Sequence, residues 1–329
     1  MSKEAVLRLL TGASDYLSGE AMSKSLGVSR AAVWKSISVL REQGYEIEAK
    51  TKWGYRLLSS PDTPSASAVG AFLKSQDFCP EIIYLDEVDS TNSYLKQLAA
   101  GGAPHGTVVI ADAQSGGRGR MGRAFVSEAG KGLFLSLLIR PKGDAARNVT
   151  TLTSLVAVCV CEAIEAISGV EPSIKWVNDI LVDDRKICGI LLEMSMVAEL
   201  GQVDYVVVGV GINVHYQAVD FPAELRDRVT SLAMLTEEPV NRAKLAAELI
   251  DRLAQMYDSL ADPSAYIAQY RARSATVGRE ILVLRGDESH PAFAEGIGDD
   301  CGLHIRYLDG TREVLYYGET SIRGVDGYV

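Results

Sequence analysis

Histidine and cysteine are scarce in this chain, 4 and 5 residues in 329, and neither is grouped. His105, His215, His290 and His304 lie far apart, so no metal site and no histidine general base is predicted. Cys79, Cys159, Cys161, Cys188 and Cys301 include no C-x-x-C pair. An odd set of thiols without a leader segment reads as buried, reduced cysteine in a cytoplasmic protein, not a disulfide framework. No G-x-x-x-x-G-K-[ST] occurs, which excludes a P-loop, and no G-x-S-x-G nucleophile elbow occurs. The longest apolar stretch, Leu152 to Ile167, is broken by Glu162 and Glu165 and is predicted not to span a membrane. There are no internal repeats and no low-complexity tract.

The net charge is −10, which argues against a protein that coats nucleic acid over its whole surface. The charge is uneven. Residues 1–60 hold 9 Lys/Arg against 6 Asp/Glu, so a mildly basic end precedes an acidic body. Any nucleic-acid contact should be local.

Periodicity divides the chain into three units, and the class reads as α+β multidomain. Residues 1–60 predict a winged helix-turn-helix. Val6, Leu9 and Leu10 mark a first helix, residues 20–26 a second, and Ser29 caps a third with Val33, Ile37 and Leu40 as its core stripe. Gly44 closes it, and two short strands around Thr51-Lys-Trp-Gly make the wing. Residues 61–68 read as a linker. Residues 69–272 predict a central mixed-sheet α/β domain, with strands at 82–85, 107–111, 133–139, 173–177, 187–193 and 205–210. Helices are expected at 91–100, 150–168 and 242–261. Residues 273–329 predict a small SH3-like β-barrel, with a hairpin at Asp309-Gly310.

On the third helix, Ser29, Arg30, Trp34 and Lys35 lie off the core stripe, where they would enter a major groove. Lys50 and Lys52 sit at the wing tip, suited to backbone phosphates. The plainer alternative is an interaction module with a solvated charged face. If DNA is the partner, operator affinity calls for two heads and hence a homodimer.

The most informative segment is Gln114 to Arg123, with 4 glycines, 3 arginines and no acid in ten residues. Glycine lets the backbone approach a ligand, and arginine grips phosphate with paired hydrogen bonds. The loop therefore predicts an anion site, mobile until ligand arrives. A flexible basic surface loop is the alternative. Lys175-Trp-Val-Asn-Asp179 and Lys186-Ile-Cys-Gly-Ile-Leu-Leu-Glu193 each place a lysine at an apolar strand. Lys186 could sit between a carboxylate and a phosphate; alone, either lysine would read as surface charge, as Arg140 and Arg185 do. Gly209-Val-Gly-Ile-Asn213 does not extend to a dinucleotide fingerprint and is weak evidence, and Ser90-Thr91-Asn92 is explained by helix capping.

Together these segments resemble the biotin–protein ligase family. Gly117-Arg-Gly-Arg-Met-Gly-Arg123 is similar to its G-R-G-R-x-G-R loop, residues 175–179 to its K-W-P-N-D, residues 186–193 to its K-x-x-G-I-L-x-E and residues 209–213 to its G-x-G-x-N. With the head in front, the chain resembles the bifunctional class of ligase and biotin-operon repressor.

The resemblance implies an enzyme that uses biotin, ATP and Mg²⁺ to make biotinyl-AMP and transfers biotin to a lysine of a biotin carboxyl carrier protein. It implies that Ser90, Thr91, Asn92, Gln114, Gly117, Arg118, Gly119, Arg120, Lys186 and Gly189 surround biotin. Arg123, Phe125, Lys175, Trp176, Asn178, Asn213 and Arg323 would meet the nucleotide, and Lys186, Arg120 and Arg118 would act in catalysis. Biotinyl-AMP would act as corepressor, with operator DNA as the second partner. Val177 replaces the usual proline, and Phe125 stands where many members have Trp. A lipoate-type ligase and a biotin sensor without ligase activity remain as alternatives.

Overall fold

The computed structural model describes residues 3–143, 148–197, 202–286, 288–316 and 321–324, with Ala265 and 321–324 described by backbone alone. The head holds α1 (Lys3–Thr11), α2 (Gly19–Leu26), α3 (Arg30–Glu42), β1 (Glu46–Lys50) and β2 (Gly54–Ser59). Ser18 and Ser29 cap α2 and α3 by accepting from the backbone N–H groups of Ala21 and Ala32. Gly27 turns the chain between them at φ 65°, where a side chain would strain. Val33, Ile37 and Leu40 are buried against Val6, Leu7, Leu10 and Met22. Leu7, one helical turn before Leu10, is buried, while Leu9 of the expected stripe is only partly covered.

The expected linker is not a loose tether. Its last three residues lie in α4 (Ala66–Phe72), capped by Ser65, and Ala68 and Val69 belong to the central core while Ala71 belongs to the head core. Asp62 accepts from the backbone N–H and Nε of Arg242, and Arg242 Nη1 donates to Asp112 Oδ1 at 2.7 Å and to the Gly132 carbonyl at 3.0 Å. His215 Nε2 lies 3.2 Å from the same Asp62.

The central unit follows as β3 (Ile82–Val88), α5 (Thr91–Ala100), β4 (Val108–Gln114), β5 (Gly132–Ile139), α6 (Leu152–Ser168), β6 (Ser173–Lys175), β7 (Asp179–Val182), β8 (Arg185–Val197), β9 (Gln202–Asn213), α7 (Arg242–Tyr257) and α8 (Ser264–Ala272). Its seven strands run in the order β3-β4-β5-β9-β8-β7-β6, with β3 and β4 parallel and the other pairs antiparallel. Alternation decides the two faces. Leu133, Leu135, Leu137, Val206, Val208 and Val210 face α6, α7 and α8. Leu138, Val207 and Val109 face α5. The segment Val149–Ser168 is long and apolar enough by composition to cross a membrane, but 72% of it is buried in this core. Arg140, expected as an idle surface charge, ties two elements together: it donates to the Ala99 and Ala103 carbonyls and pairs with Asp204 at 2.9 Å. Sequence periodicity carries no sign of α4, β7 or α8, because each is short and lacks a full repeat.

The last unit is β10 (Glu280–Arg285), β11 (Glu288–Ile297), β12 (Leu303–Tyr307), β13 (Arg312–Leu315) and β14 (Ser321–Gly324), an antiparallel sheet in the order β13-β12-β11-β10-β14. Gly310 turns the β12–β13 hairpin at φ 87°. Trp176 Nε1 donates to the Cys301 carbonyl at 3.0 Å, joining this sheet to the central unit.

The Asp62–Arg242 tie has a measurable signature. Burial works to raise the Asp62 carboxyl, but the hydrogen bonds from His215 and from Arg242 and the charge of Arg242 hold it below its ordinary 3.8. Its contribution is therefore complete above the ordinary carboxylate range and is lost as pH falls through the lowered value. Asp62→Ala should cost about 2 kcal/mol, as loss of a charged hydrogen-bond partner does, discounted because the Asp62 side chain is 37% exposed. Thermal denaturation at pH 7 and at pH 3 should show the gap between variant and wild type shrink at the lower pH.

Candidate active site

On the face that α5 covers at one end, β8 and β9 carry glycine. Gly209 and Gly211 follow at a spacing of two on β9, and Gly189 pairs with Gly211 across the ladder. No side chain rises from this strip, so side chains from elsewhere lie on it. A Cβ at Gly209 would stand 2.3 Å from Asn92 Oδ1, and one at Gly211 2.7 Å from the Phe125 ring. A Cβ at Gly189 would stand 3.1 Å from Lys186 Nζ. Above the strip is a cavity of about 350 Å³. That size suits one small organic ligand.

One end of the cavity is neutral and polar. Ser90 caps α5, which brings Thr91 and Asn92 to the helix start beside the sheet. Gln114 Oε1 accepts from the Thr91 backbone N–H at 2.9 Å, and Gln114 Nε2 donates to Ser127 Oγ at 3.0 Å. Ser136 Oγ lies 2.6 Å from Asn92 Oδ1 and 2.7 Å from Thr91 Oγ1.

The other side is cationic. Residues 117–125 form a tight hairpin rather than an open loop: Phe125 N–H donates to the Gly117 carbonyl at 3.0 Å and Gly119 N–H to the Arg123 carbonyl at 2.7 Å. Arg118 and Arg123 project into solvent at the rim, and among the described residues neither pairs with a carboxylate. Arg120 Nη1 donates to Asn178 Oδ1 at 3.2 Å. Burial lowers the Arg120 pKa from its ordinary value, while nearby Asp179 opposes the shift. Lys186 Nζ sits 2.6 Å from Asp179 Oδ1 and 6.0 Å from the centre of the Phe125 ring. Phe125 and Lys186 thus lie side by side on the glycine strip, the ring over Gly211 and the ammonium over Gly189. Asn213 is 5% exposed, and its Nδ2 donates to the Thr230 carbonyl at 3.0 Å, which leaves Oδ1 for a ligand.

The structure gathers Ser90, Thr91, Asn92, Gln114, Arg118, Gly119, Arg120, Arg123 and Phe125 around this cavity, with Lys175, Trp176, Asn178, Lys186, Gly189 and Asn213. Gly117 is not on the wall: a Cβ there would stand 2.5 Å from the Phe125 carbonyl oxygen, so it serves the closure of the hairpin. Arg323 lies on β14 opposite Leu282, and its side chain is outside the described residues. Sequence reasoning missed Asp179, which closes the Lys175–Asp179 motif without an assigned role, and Gly209 and Gly211, whose spacing of two was the available signal. It also missed Phe221, Leu225, Arg228 and Val229, which reach the wall from a segment without periodicity. That segment is anchored by Lys186, whose N–H donates to the Arg228 carbonyl and whose carbonyl accepts from Thr230, both at 2.8 Å.

On the head, Ser29, Arg30, Trp34, Lys35, Lys50 and Lys52 are all exposed. The Ser29 hydroxyl is engaged in capping α3. Lys50 Nζ lies 4.9 Å from the Trp53 ring centre and 5.6 Å from that of Tyr16, so the wing tip is a cation held on two aromatic rings.

Gly211→Ala would push Phe125 off the strip. Overpacking of this kind costs about 1–3 kcal/mol, and the low end applies to a partly exposed ring. The melting temperature should fall accordingly; an unchanged value would show that the ring is not held there.

Residues 84–213 match the model of the Biotin/lipoate A/B protein ligase family, and residues 3–56 match an HTH domain model. The bifunctional ligase/repressor BirA of Bacillus spizizenii is 41% identical over 250 residues, 76% of each chain. The protein of the same name from Escherichia coli is 29% identical over 316 residues, 95% of this chain and 94% of the other. Among solved structures, the biotin protein ligase from Aquifex aeolicus in complex with biotin and ATP matches with a TM-score of 0.65 at 29% identity, covering 74% of this chain and 99% of that one. A DNA-binding head joined to this ligase core, with the cationic hairpin and Lys186 set over one cavity, places the chain in the bifunctional biotin–protein ligase/repressor family.

Proposed function

We propose that the cavity condenses biotin with ATP to biotinyl-5′-AMP and that the same site then passes biotin to a lysine of a biotin carboxyl carrier protein. The observation that carries this reading is the joining of two unlike ends in one cavity. Thr91, Asn92 and Gln114 offer neutral hydrogen bonds suited to a cyclic urea, and Arg118, Arg120, Arg123 and Lys186 supply positive charge for a carboxylate and a phosphate. Gln114 with the hairpin backbone at Gly119 and Arg120 holds the ring system of biotin, and Ser90 and Gly189 complete its walls. Phe125, Asn213, Trp176, Lys175, Asn178 and Arg123 face the nucleotide. Arg323 is assigned to the ATP by resemblance alone.

Lys186 is the residue placed to act on the reacting atoms. In the first step a biotin carboxylate oxygen bonds to the α-phosphorus of ATP, the bond to the bridging oxygen breaks, and pyrophosphate leaves with that electron pair. Lys186 and Arg118 offset the charge gathered on the phosphate oxygens, and Arg120 steadies the carboxylate. Asp179 aims the Lys186 ammonium through their 2.6 Å contact. The hairpin then shields the mixed anhydride from water. In the second step the carrier lysine attacks the acyl carbon, loses a proton, and AMP departs. Mg²⁺ would be held chiefly by the ATP phosphates and would supply neutralisation of their charge. Among the described residues no three His, Cys, Asp or Glu side chains converge on a metal position of the protein's own.

The head binds operator DNA through the start of α3 and the wing, with biotinyl-AMP as corepressor. The protein pairs as a homodimer. Among the described residues β8 has a strand neighbour on one side only from Leu192 to Val197, and Met194 and Met196 are 50% and 53% exposed there. An open, apolar strand edge favours pairing with another chain. The domain boundaries fall near 60 and 273. The terminal sheet closes as a small SH3-like barrel: Arg285 of β10 reaches Glu313 of β13, although two strands lie between them in the sheet. Five free buried thiols fit a reducing cytoplasm.

Lys186→Ala should lose more than ~100-fold in biotinyl-AMP formation, on the scale of one lost charge-stabilising donor. Mass spectrometry of the protein with biotin and ATP reads the adenylate, and near-wild-type yield would remove Lys186 from the mechanism. Pyrophosphate exchange with biotin and with lipoate separates the two ligase classes. Arg30→Ala should weaken operator binding in a gel shift while leaving biotin transfer intact; loss of both would show that head and ligase are not modular.

A further inference from the structure

Glu193 touches no part of the reaction machinery directly, yet it is bonded to the polar end of the cavity. Its Oε1 is 2.5 Å from Lys96 Nζ on α5, and its Oε2 accepts from Asn92 Nδ2 at 2.9 Å. Asn92 Nδ2 also donates to the Leu191 carbonyl at 3.3 Å. A carboxylate and a carbonyl can only accept, so the nitrogen of the Asn92 amide must face them. Both of its hydrogens are then used. The oxygen is turned inward, where Ser136 takes one lone pair and the cavity receives the other. Gly209 leaves the space this orientation needs. Gln114 is complementary: its oxygen accepts from Thr91, one amide hydrogen goes to Ser127, and one remains. The cavity end therefore offers an acceptor from Asn92 beside a donor from Gln114, the complement of a urea N–H and its carbonyl.

We propose that Glu193 is a positioning residue for urea recognition: held by Lys96, it fixes the Asn92 amide with its oxygen toward the ligand. This rests on the reading of the cavity as a biotin site. With glutamine at 193, Lys96 takes the new amide oxygen and its N–H₂ faces Asn92, which favours the flipped Asn92 amide with N–H groups toward the urea N–H.

The test compares wild type, Glu193→Gln, Asn92→Asp and the double variant for biotin KM, ATP KM and kcat. Glu193→Gln should raise the biotin KM about tenfold, the scale of one mispaired hydrogen bond, with kcat, ATP KM and melting temperature unchanged. Asn92→Asp should do more harm, because two carboxylates then face each other. The double variant should recover part of the loss, since the new amide at position 193 donates to the new carboxylate at position 92, while the Leu191 carbonyl stays without its donor. An unchanged biotin KM in Glu193→Gln, a parallel change in ATP KM and kcat, or additive losses in the double variant would overturn the assignment. If Glu193→Gln folds poorly, the comparison of Asn92→Asp with the double variant decides. Absence of biotin-dependent pyrophosphate exchange in the wild type would instead overturn the functional reading beneath it.

Discussion

Where Gly189, Gly209 and Gly211 meet on β8 and β9, the sheet presents backbone in place of side chains, and the rest of the site depends on that gap. A buried sheet face is normally filled by its own alternating residues, as Leu138 and Val207 fill it under α5. Omitting three side chains in adjacent positions opens a floor without opening the hydrogen-bond ladder. Asn92 arrives from a helix start, Phe125 from the hairpin and Lys186 from the beginning of β8. Each lies close to where a Cβ would otherwise be, so chemistry from distant parts of the chain is brought within reach of one ligand.

Charge is arranged around that floor in a graded way. Arg118 and Arg123 wait at the rim in solvent, Arg120 is drawn partly out of water and bonded to Asn178, and Lys186 is held on Asp179. Exposed cations attract an incoming anion over distance but are screened by salt, whereas the inner pair acts at contact, where the dielectric is lower. The neutral end orders a ligand by hydrogen-bond pattern instead. Separating attraction from recognition lets one cavity take a molecule with an uncharged ring system at one end and a carboxylate at the other.

The head is joined to this core by more than a covalent tether. Asp62 and Asp112 both bind Arg242, and Arg242 also holds the Gly132 carbonyl, at the residue that pairs with Asn213. The residues after the wing are thus fixed to the strand end that carries Asn213. The segment after the head is tied to the ligase core by a buried arginine, and α4 beyond it packs against both cores through Ala68, Val69 and Ala71.

Much of this is legible in the residues alone. The helix 91–100, the third head helix with its serine cap, and the arginine-glycine segment follow from local spacing and from residue chemistry, which the chain carries wherever it folds. The mixed central sheet follows from strands without intervening helices. Other features are not legible there. Asp179 beside Lys186, Glu193 beside Asn92 and Asp62 on Arg242 are pairs separated by 7 to 180 residues, joined only by strand register and helix packing. Gly117 and Gly209 look alike as letters, yet one closes a hairpin and the other clears a floor. By itself, the sequence determined which residues could bind an anion, cap a helix or fill a core, since those are properties of single side chains and short repeats. Only the tertiary structure decided which of them share a cavity and in what orientation, because that depends on backbone pairing between segments that carry no local record of one another.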